Sequence, residues 1–142
     1  MGYMLDTNIC IFLLTQRQPE FQQRILARLE ALPNDVSVYL SSITVSELSY
    51  GVRKSRWRKT NETVLREFLL DFQIATFDTP AAWLAGEVRA NLERLGQPIG
   101  PMDTLIAAHA MSQDLILVTH NMGEFSRVKG LRLENWSDET TA

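Results

Sequence analysis

Several residue types and patterns are scarce in this sequence, and each scarcity excludes a class of protein. The 142 residues include one cysteine, Cys10, so an internal disulfide and a cysteine-based zinc site are excluded. We expect Cys10 to be a small buried hydrophobe rather than a nucleophile. Every apolar run is shorter than the roughly 20 residues that span a bilayer, and Asp6 lies too near the N-terminus for a signal peptide. A cytoplasmic protein is therefore predicted.

Length and composition predict one globular unit. With 45% hydrophobic and 22% charged residues, the chain has enough apolar side chains for a core and shows no sign of low complexity. A single domain over residues 1–136 is predicted, followed by a short tail over residues 137–142. The net charge of −3 argues mildly against a nucleic-acid partner when it is considered alone.

The distribution of positive charge qualifies that argument. The segment 53–59 reads Arg-Lys-Ser-Arg-Trp-Arg-Lys, and it holds five of the fourteen basic residues. One basic patch on an acidic protein can bind phosphate groups locally. We name these candidates for RNA contact the basic patch: Arg53, Lys54, Arg56, Trp57, Arg58 and Lys59, with Trp57 as a stacking platform. A solvated helix end and loop is an equally good interpretation.

Short apolar runs alternate with helical periods, which predicts an α/β fold with a parallel sheet. The predicted strands cover residues 3–5, 36–40, 74–77, 115–118 and 131–133. Helices are predicted from residue 9, from Pro19, from residues 42–44, over 61–72, over 80–95 and from residue 101. Thr79 is the expected cap of the helix over 80–95, and Trp83 within that helix is expected in the core. The last helix is apolar on most sides, so it should be buried.

Four polar side chains follow the ends of these predicted strands or begin the helices beside them. Asp6 follows the first strand, Glu47 lies about one turn into the helix after the second, Asp103 begins the buried helix, and Asn121 follows the strand ending near Val118. In open α/β sheets, sites form beyond the carboxyl ends of the strands. If Glu47 and Asp103 face inward, each is a costly buried carboxylate unless it is paired or binds metal.

Clustered carboxylates predict a bound cation. Acids held together without one raise each other's pKa values, whereas Mg²⁺ prefers oxygen ligands and such ions promote phosphodiester hydrolysis. Taken singly, each residue has a simpler interpretation: Asp6 and Asp103 as helix caps, Glu47 as an exposed acid, Asn121 as a turn residue. The prediction of a site depends on all four lying at one edge of one sheet.

The two histidines give little support to a metal-free nuclease, which commonly uses a pair of histidines as general acid and base. His109 lies in the predicted buried helix and is expected to be a core residue. His120 adjoins Asn121 at the edge of the predicted site, where contact with RNA is one interpretation and an ordinary loop histidine is the other. We assign catalysis to neither.

Five short motifs follow one another along the chain. They are residues 4–8 (Met-Leu-Asp-Thr-Asn), 46–51 (Ser-Glu-Leu-Ser-Tyr-Gly), 99–110 (beginning Ile-Gly-Pro-Met-Asp), 118–125 (beginning Val-Thr-His-Asn) and 130–136 (Gly-Leu to Asn-Trp). As an ordered set, they resemble the motifs of PIN-domain ribonucleases of the VapC toxin family, and the resemblance covers essentially the whole chain. It implies a three-layer α/β/α sandwich around a central parallel sheet.

The resemblance also implies roles for individual residues. Asp6, Glu47 and Asp103 match the family's acidic catalytic and metal-binding positions, so Mg²⁺ or Mn²⁺ is the expected cofactor. Asn121 falls where many members have a fourth acid; it is counted as catalytic, and its missing charge favours one tightly held metal over two. Thr7 and Thr119 match polar residues that border the site.

The same resemblance implies partners and a substrate. Members are typically dimers inhibited by a VapB antitoxin, which inserts a peptide into the active-site groove; helices 61–72 and 80–95 are candidate dimer surfaces. The expected reaction is endonucleolytic hydrolysis that leaves a 3′-hydroxyl and a 5′-phosphate. The Ile-Gly-Pro-x-Asp form of the third motif resembles VapC toxins of enteric bacteria, which implies cleavage of initiator tRNA in the anticodon stem-loop.

Other functions fit less well or stay open. A response-regulator receiver or an aspartyl phosphatase would need a second acid or a lysine that this pattern lacks. A catalytically weak RNA-binding PIN module would show missing acids, yet Asp6, Glu47 and Asp103 are all present. A free-standing PIN nuclease for RNA processing, without an antitoxin, is consistent with the sequence.

Overall fold

The computed structural model describes residues 2–139, in which strands and helices alternate. The elements, in chain order, are β1 (Gly2–Leu5), α1 (Thr7–Leu14), α2 (Pro19–Ala31), β2 (Ser37–Ser41), α3 (Ser42–Lys54), α4 (Arg58–Leu69), β3 (Gln73–Ala75), α5 (Thr79–Arg94), α6 (Pro101–Ser112), β4 (Ile116–Val118), α7 (Met122–Phe125) and β5 (Leu133–Glu134).

The five strands form one parallel sheet in the order β3-β2-β1-β4-β5. Neighbouring side chains on a strand point to opposite faces, and the sheet is covered on both. Met4 and Leu117 pack with α5 and α6, whereas Leu5 and Val118 pack with α1, α2 and α4 on the other face. The predicted α/β/α sandwich with a central parallel sheet is confirmed.

Because all strands are parallel, their carboxyl ends lie at one edge of the sheet. Polar residues lie at, or directly after, the ends of three strands. Asp6 comes directly after β1, Ser41 ends β2, and Thr119 comes directly after β4. The backbone N–H of Asp6 donates to the carbonyl oxygen of Val118 at 3.0 Å, which fixes the ends of the two central strands side by side. We call this the carboxyl edge; it positions the candidate site.

Side-chain caps explain where several helices begin. The side chains of Asp6, Ser41 and Asp78 accept hydrogen bonds from backbone N–H groups in the first turns of α1, α3 and α5, respectively. Such caps satisfy donors that a helix N-terminus leaves free. The predicted cap Thr79 is wrong: Asp78 caps α5, and Thr79 is its first residue. Gly96, with φ of +67°, ends α5 as predicted.

Several predicted boundaries and one predicted burial are wrong. Helix α4 begins at Arg58 rather than residue 61, because its first turn carries basic residues that the apolar periodicity does not mark. Strand β5 covers Leu133–Glu134 rather than 131–133, and β3 covers Gln73–Ala75 rather than 74–77. Trp83 is 79% exposed, because it lies on the outer face of α5, away from the buried Ala81, Ala85 and Val88.

The chain remains packed beyond the end of the last strand. Trp136 and Ser137 are buried, and Ser137 Oγ lies 2.6 Å from Nδ1 of His120. Residues 140–142 of the predicted tail lie outside the described residues. Within residues 2–139, no helix combines the length and the apolar character that crossing a membrane requires.

Candidate active site

Asp6 is a buried carboxylate at the end of β1, with 2% of its surface exposed. Its Oδ1 accepts from the backbone N–H of Ile9 at 2.9 Å, and its Oδ2 accepts from Thr119 Oγ1 at 2.5 Å. Asp6 therefore caps α1 and faces the carboxyl edge at the same time. Burial, together with the charges of Asp103 and Glu47, raises the pKa of Asp6 to about 6 against the lowering effect of its hydrogen bonds.

Glu47 reaches the same edge from α3, where it is half-buried rather than fully enclosed. Thr7 Oγ1 donates to Glu47 Oε1 at 2.6 Å and lies 3.2 Å from Thr44 Oγ1. The first and third helices are thereby tied together through the carboxylate. The predicted border residues are thus placed as direct partners of the acids: Thr7 contacts Glu47, and Thr119 contacts Asp6.

Asp103 is the third residue of α6 and is half-buried. Gly100 occupies the cap position of that helix, so the simpler interpretation of Asp103 as a cap does not hold. Burial raises the pKa of Asp103 to about 6, and the charges of Glu124 and Glu47 add to the effect. Asp6, Glu47 and Asp103 are thus brought within electrostatic range of one another, as the sequence predicts.

Asn121 caps the short helix α7 and holds a carboxylate that the sequence argument missed. Its Nδ2 donates to Glu124 Oε2 at 2.7 Å, while its Oδ1 accepts from the backbone N–H of Glu124 at 3.4 Å. The backbone N–H of Asn121 donates to Thr119 Oγ1 at 2.9 Å. The charge of Glu124 acts on Asp103, so a fourth acid is present near Asp103.

A pocket of about 580 Å³, which we call the acidic pocket, opens between α1, α3 and α6 at this edge. Glu47 and Asp103 line it with Thr7, Asn8 and Ser46, and the exposed side chains of Tyr50 and Met102 form its outer part. The pocket therefore joins an acidic, oxygen-rich interior to an aromatic and apolar rim. Such an interior suits a hard cation, and the rim suits an unpaired base.

The donors fit a divalent cation in chemistry. Carboxylate and hydroxyl oxygens are the ligands that Mg²⁺ prefers, and Asp6, Glu47 and Asp103 are the candidate ligands. Within residues 2–139, no three Asp, Glu, His or Cys side chains converge closely enough to hold one ion together. Mg²⁺ commonly uses one or two carboxylates and retains several waters, so the arrangement is compatible with that mode of binding.

The basic patch lies at the turn from α3 to α4, beyond the carboxylates. None of its residues lines the acidic pocket, but the Lys54 ammonium lies 5.3 Å from the ring centre of Tyr50, which does. Arg53 pairs with Glu62 at 3.5 Å, and the Arg56 guanidinium lies 5.1 Å from the Trp57 ring. Contact between this patch and RNA remains a prediction.

Neither histidine lies in the acidic pocket. His109 is fully buried, and its Nδ1 lies 2.8 Å from Ser41 Oγ; burial lowers its pKa. His120 is half-buried against the rings of Phe12 and Phe21. Cys10 is buried, and burial raises the pKa of its thiol. The interpretations of His109 and Cys10 as core residues are therefore confirmed.

Known proteins share this fold and sequence over nearly the whole chain. The PIN-domain family model matches residues 3–131. A tRNA(fMet)-specific endonuclease VapC from Shigella flexneri is 42% identical over 137 residues, covering 96% of this chain and 99% of the relative. Its namesake from Salmonella typhimurium is 40% identical over 136 residues, with coverages of 96% and 98%.

A solved structure gives the same result. The crystal structure of VapBC2 from Rickettsia felis bound to a DNA fragment from their promoter contains a chain that matches with a TM-score of 0.87 and 39% identity. The match covers 96% of this chain and 99% of that one. This chain therefore belongs to the PIN-domain family and, within it, to the VapC group.

Proposed function

We propose that this protein is the toxin of a type II toxin–antitoxin pair and an endoribonuclease that requires Mg²⁺ or Mn²⁺. The observation that carries the proposal is that Asp6, Glu47 and Asp103 lie within electrostatic range of one another at one edge of the sheet, with the charge of Glu124 acting on Asp103. Burial and neighbouring charges raise the pKa values of Asp6 and Asp103 and so disfavour their ionised forms, an effect that a bound cation would offset. Membership of a group whose relatives are named ribonucleases and endonucleases supports the same activity.

Hydrogen bonds from neighbouring groups hold three of the four acids in place. Thr119 and the N-terminus of α1 fix Asp6, Thr7 fixes Glu47, and Asn121 fixes Glu124. Asp6, Glu47 and Asp103 would hold the cation. When bound, it supplies positive charge that neutralises the carboxylates and polarises the phosphodiester. Because these hydrogen bonds already orient Asp6, Glu47 and Glu124, these three side chains need little reorganisation when substrate binds.

The proposed substrate is initiator tRNA, which the protein would cut in the anticodon stem-loop. The proposed location of this activity is the cytoplasm. Two relatives at 42% and 40% identity are named tRNA(fMet)-specific endonucleases. A loop presents unstacked bases and a bent backbone, which a small pocket can reach more easily than a duplex. Tyr50 and Met102, at the rim of the pocket, are placed to contact such bases.

The proposed protein partner is a VapB-type antitoxin. The Rickettsia felis structure is a VapBC complex, and this chain matches the toxin's group over nearly its full length. An antitoxin gene beside this one, and a stable complex when the two are expressed together, would support the assignment. Cleavage by a protein that has no such neighbour would favour the free-standing RNA-processing nuclease.

The experiment uses the antitoxin-free protein and total bacterial RNA, with Mg²⁺, with Mn²⁺ and with EDTA, and it maps the new RNA ends. We expect a discrete cut in initiator tRNA that leaves a 3′-hydroxyl and a 5′-phosphate and that EDTA abolishes. Asp6→Asn and Asp103→Asn should abolish cleavage. Asp71→Asn, which neutralises an exposed acid, should retain it.

Each alternative gives a different outcome. Cleavage that survives EDTA and both active-site substitutions would reject the metal mechanism. RNA binding without cleavage under any condition would favour the non-catalytic PIN module. A metal-dependent cut at another RNA would keep the nuclease and reject initiator tRNA as its target.

A further inference from the structure

A second concentration of positive charge lies at the end of α5 and in the segment after α7. The C-terminal part of α5 and the segment after α7 enclose a pocket of about 250 Å³, which we call the basic pocket. Arg94, Arg127 and Lys129 line it. Its remaining wall is mostly apolar and includes the buried Leu92 and Val128, with the exposed Leu95 at one side.

Among the described residues, no acid pairs with the three cations of the basic pocket. Within residues 2–139, no carboxylate oxygen lies within 4 Å of their side-chain nitrogens, whereas Arg89 on the same helix pairs with Glu93 at 3.2 Å. Arg94 contacts the side-chain oxygen of Asn91. Three cationic side chains that line one pocket without a counter-ion favour an anion there.

Three structural links connect this pocket to the segments that carry the carboxylates. Residues 95–100 connect the end of α5, where Arg94 lies, directly to the start of α6, where Asp103 lies. Arg127 lies three residues after Glu124, whose charge acts on Asp103. The Arg127 guanidinium also donates to the carbonyl oxygen of Pro98 at 3.0 Å, which joins the segment after α7 to the loop before Asp103.

We propose that the basic pocket binds a phosphate group of the RNA substrate, with the adjoining ribose or base against Leu92, Leu95 and Val128. The proposal rests on the ribonuclease function above. Phosphate contacts position a nucleic acid without reading its sequence, and an apolar surface beside them accepts a nucleoside. The basic patch, whose Lys54 ammonium lies 5.3 Å from the Tyr50 ring at the rim of the acidic pocket, would provide a second phosphate anchor for the same RNA.

The test compares two double variants with the same change in charge. Arg94→Gln with Lys129→Gln neutralises the basic pocket but retains Arg127, because Arg127 also supports the loop before Asp103. Arg66→Gln with Arg89→Gln is the control, since both of those residues are paired with carboxylates. Steady-state cleavage of transcribed initiator tRNA is measured between about 50 and about 200 mM salt.

We expect the pocket variant to raise KM about tenfold with kcat within about twofold of wild type, since positioning interactions affect binding more than chemistry. The slope of log kcat/KM against log salt should fall by about one for each phosphate group that the variant no longer binds. The control should keep the wild-type KM and slope. Equal KM and slope in the two double variants would overturn the proposal.

Two further outcomes separate this proposal from its rivals. If the wild-type protein does not cleave the tRNA, the affinities of wild type, the pocket variant and the control variant for labelled tRNA are compared by fluorescence anisotropy in EDTA. Equal affinities would again overturn the proposal that the basic pocket binds a phosphate group. Weaker binding by the pocket variant alone would support it. If RNA affinity is unchanged while a coexpressed antitoxin no longer binds, the pocket receives an acidic protein segment, and the RNA assignment is rejected.

Discussion

At the scale of single residues, the site depends on pairs in which a neutral side chain fixes an acid. Thr119 holds Asp6 and Asn121 holds Glu124, so the residues beside the carboxylates act as positioning groups. Asparagine at position 121 removes a charge from the motif, yet its amide donates to a carboxylate that an aspartate there would repel. The negative charge of the site is therefore retained, at Glu124.

Asp6 should make the metal-free protein less stable as the pH rises. Its pKa is about 6 in the folded protein against an ordinary 3.8, so the folded state binds the proton more tightly than the unfolded state does. Stability is therefore lost as the pH rises from about 4 to about 6. Between pH 5 and pH 7.5, in EDTA, the loss for this one group is on the order of 1 kcal/mol.

Urea unfolding at the two pH values measures this effect. Asp6→Asn should lose about half as much stability between pH 5 and pH 7.5 as wild type, because Asp103, whose pKa is also raised to about 6, still contributes, whereas Asp71→Asn should behave as wild type. Mg²⁺ added at pH 7.5 should restore more stability to wild type than to Asp6→Asn, because a ligand stabilises the state that binds it. An identical pH dependence in wild type and Asp6→Asn would show that the Asp6 carboxyl is not perturbed.

Glu124 should contribute to catalysis although the sequence argument did not select it. Glu124→Gln keeps the size of the side chain and removes the charge beside Asp103, so the site should attract a cation less strongly. We expect the apparent Mg²⁺ affinity or the cleavage rate to fall about 10- to 100-fold. A Mg²⁺ titration of the cleavage rate measures this, with the exposed Glu67→Gln as control. Wild-type behaviour of Glu124→Gln would restrict the site to three acids.

At the scale of elements, the sequence predicts best where a strand end coincides with a polar residue. Asp6 could be placed because β1 is short, apolar and followed by three residues that favour helix caps. Asp103 could be placed because Pro101 marks the start of α6. Glu124 could not, since α7 has four residues, too few to show a helical period. The two residues of β5 are likewise defined by pairing with β4 rather than by their own pattern.

The cap of α5 offers a test at this scale. Asp78 Oδ1 accepts from the backbone N–H of Ala81 at 3.1 Å, so Asp78→Ala should destabilise the protein by about 1 kcal/mol. The expected fall in Tm is about 3 °C. Thr79→Ala, at the position that the sequence favours as the cap, should leave Tm nearly unchanged. A larger fall in Tm with Thr79→Ala than with Asp78→Ala would show that Thr79, rather than Asp78, caps α5. Cleavage at 25 °C should survive in both variants.

At the scale of the whole molecule, charge is separated more strongly than the net value of −3 indicates. Acids lie at the carboxyl edge, whereas the basic patch and the basic pocket are separate concentrations of positive charge outside the pocket that Glu47 and Asp103 line. Net charge therefore gives little information on whether this protein binds RNA. The local fields of the basic patch and the basic pocket attract a polyanion. The acids of the carboxyl edge require a cation before a phosphate group can approach them.

The outer face of α5 supports the prediction of a homodimer. Trp83 is 79% exposed there, and a large aromatic side chain at the centre of an interface commonly contributes more than 2 kcal/mol to binding. Sedimentation equilibrium should give a dimer for wild type, and Trp83→Ser should weaken dimerisation at least about tenfold. Trp57→Ser, which removes the exposed tryptophan of the basic patch, should leave the dimer intact. A wild-type monomer at tens of micromolar would refute the dimer. If Trp83→Ser leaves the dimer unchanged, the interface lies on another face, because removing a tryptophan that is buried at an interface must lower the affinity.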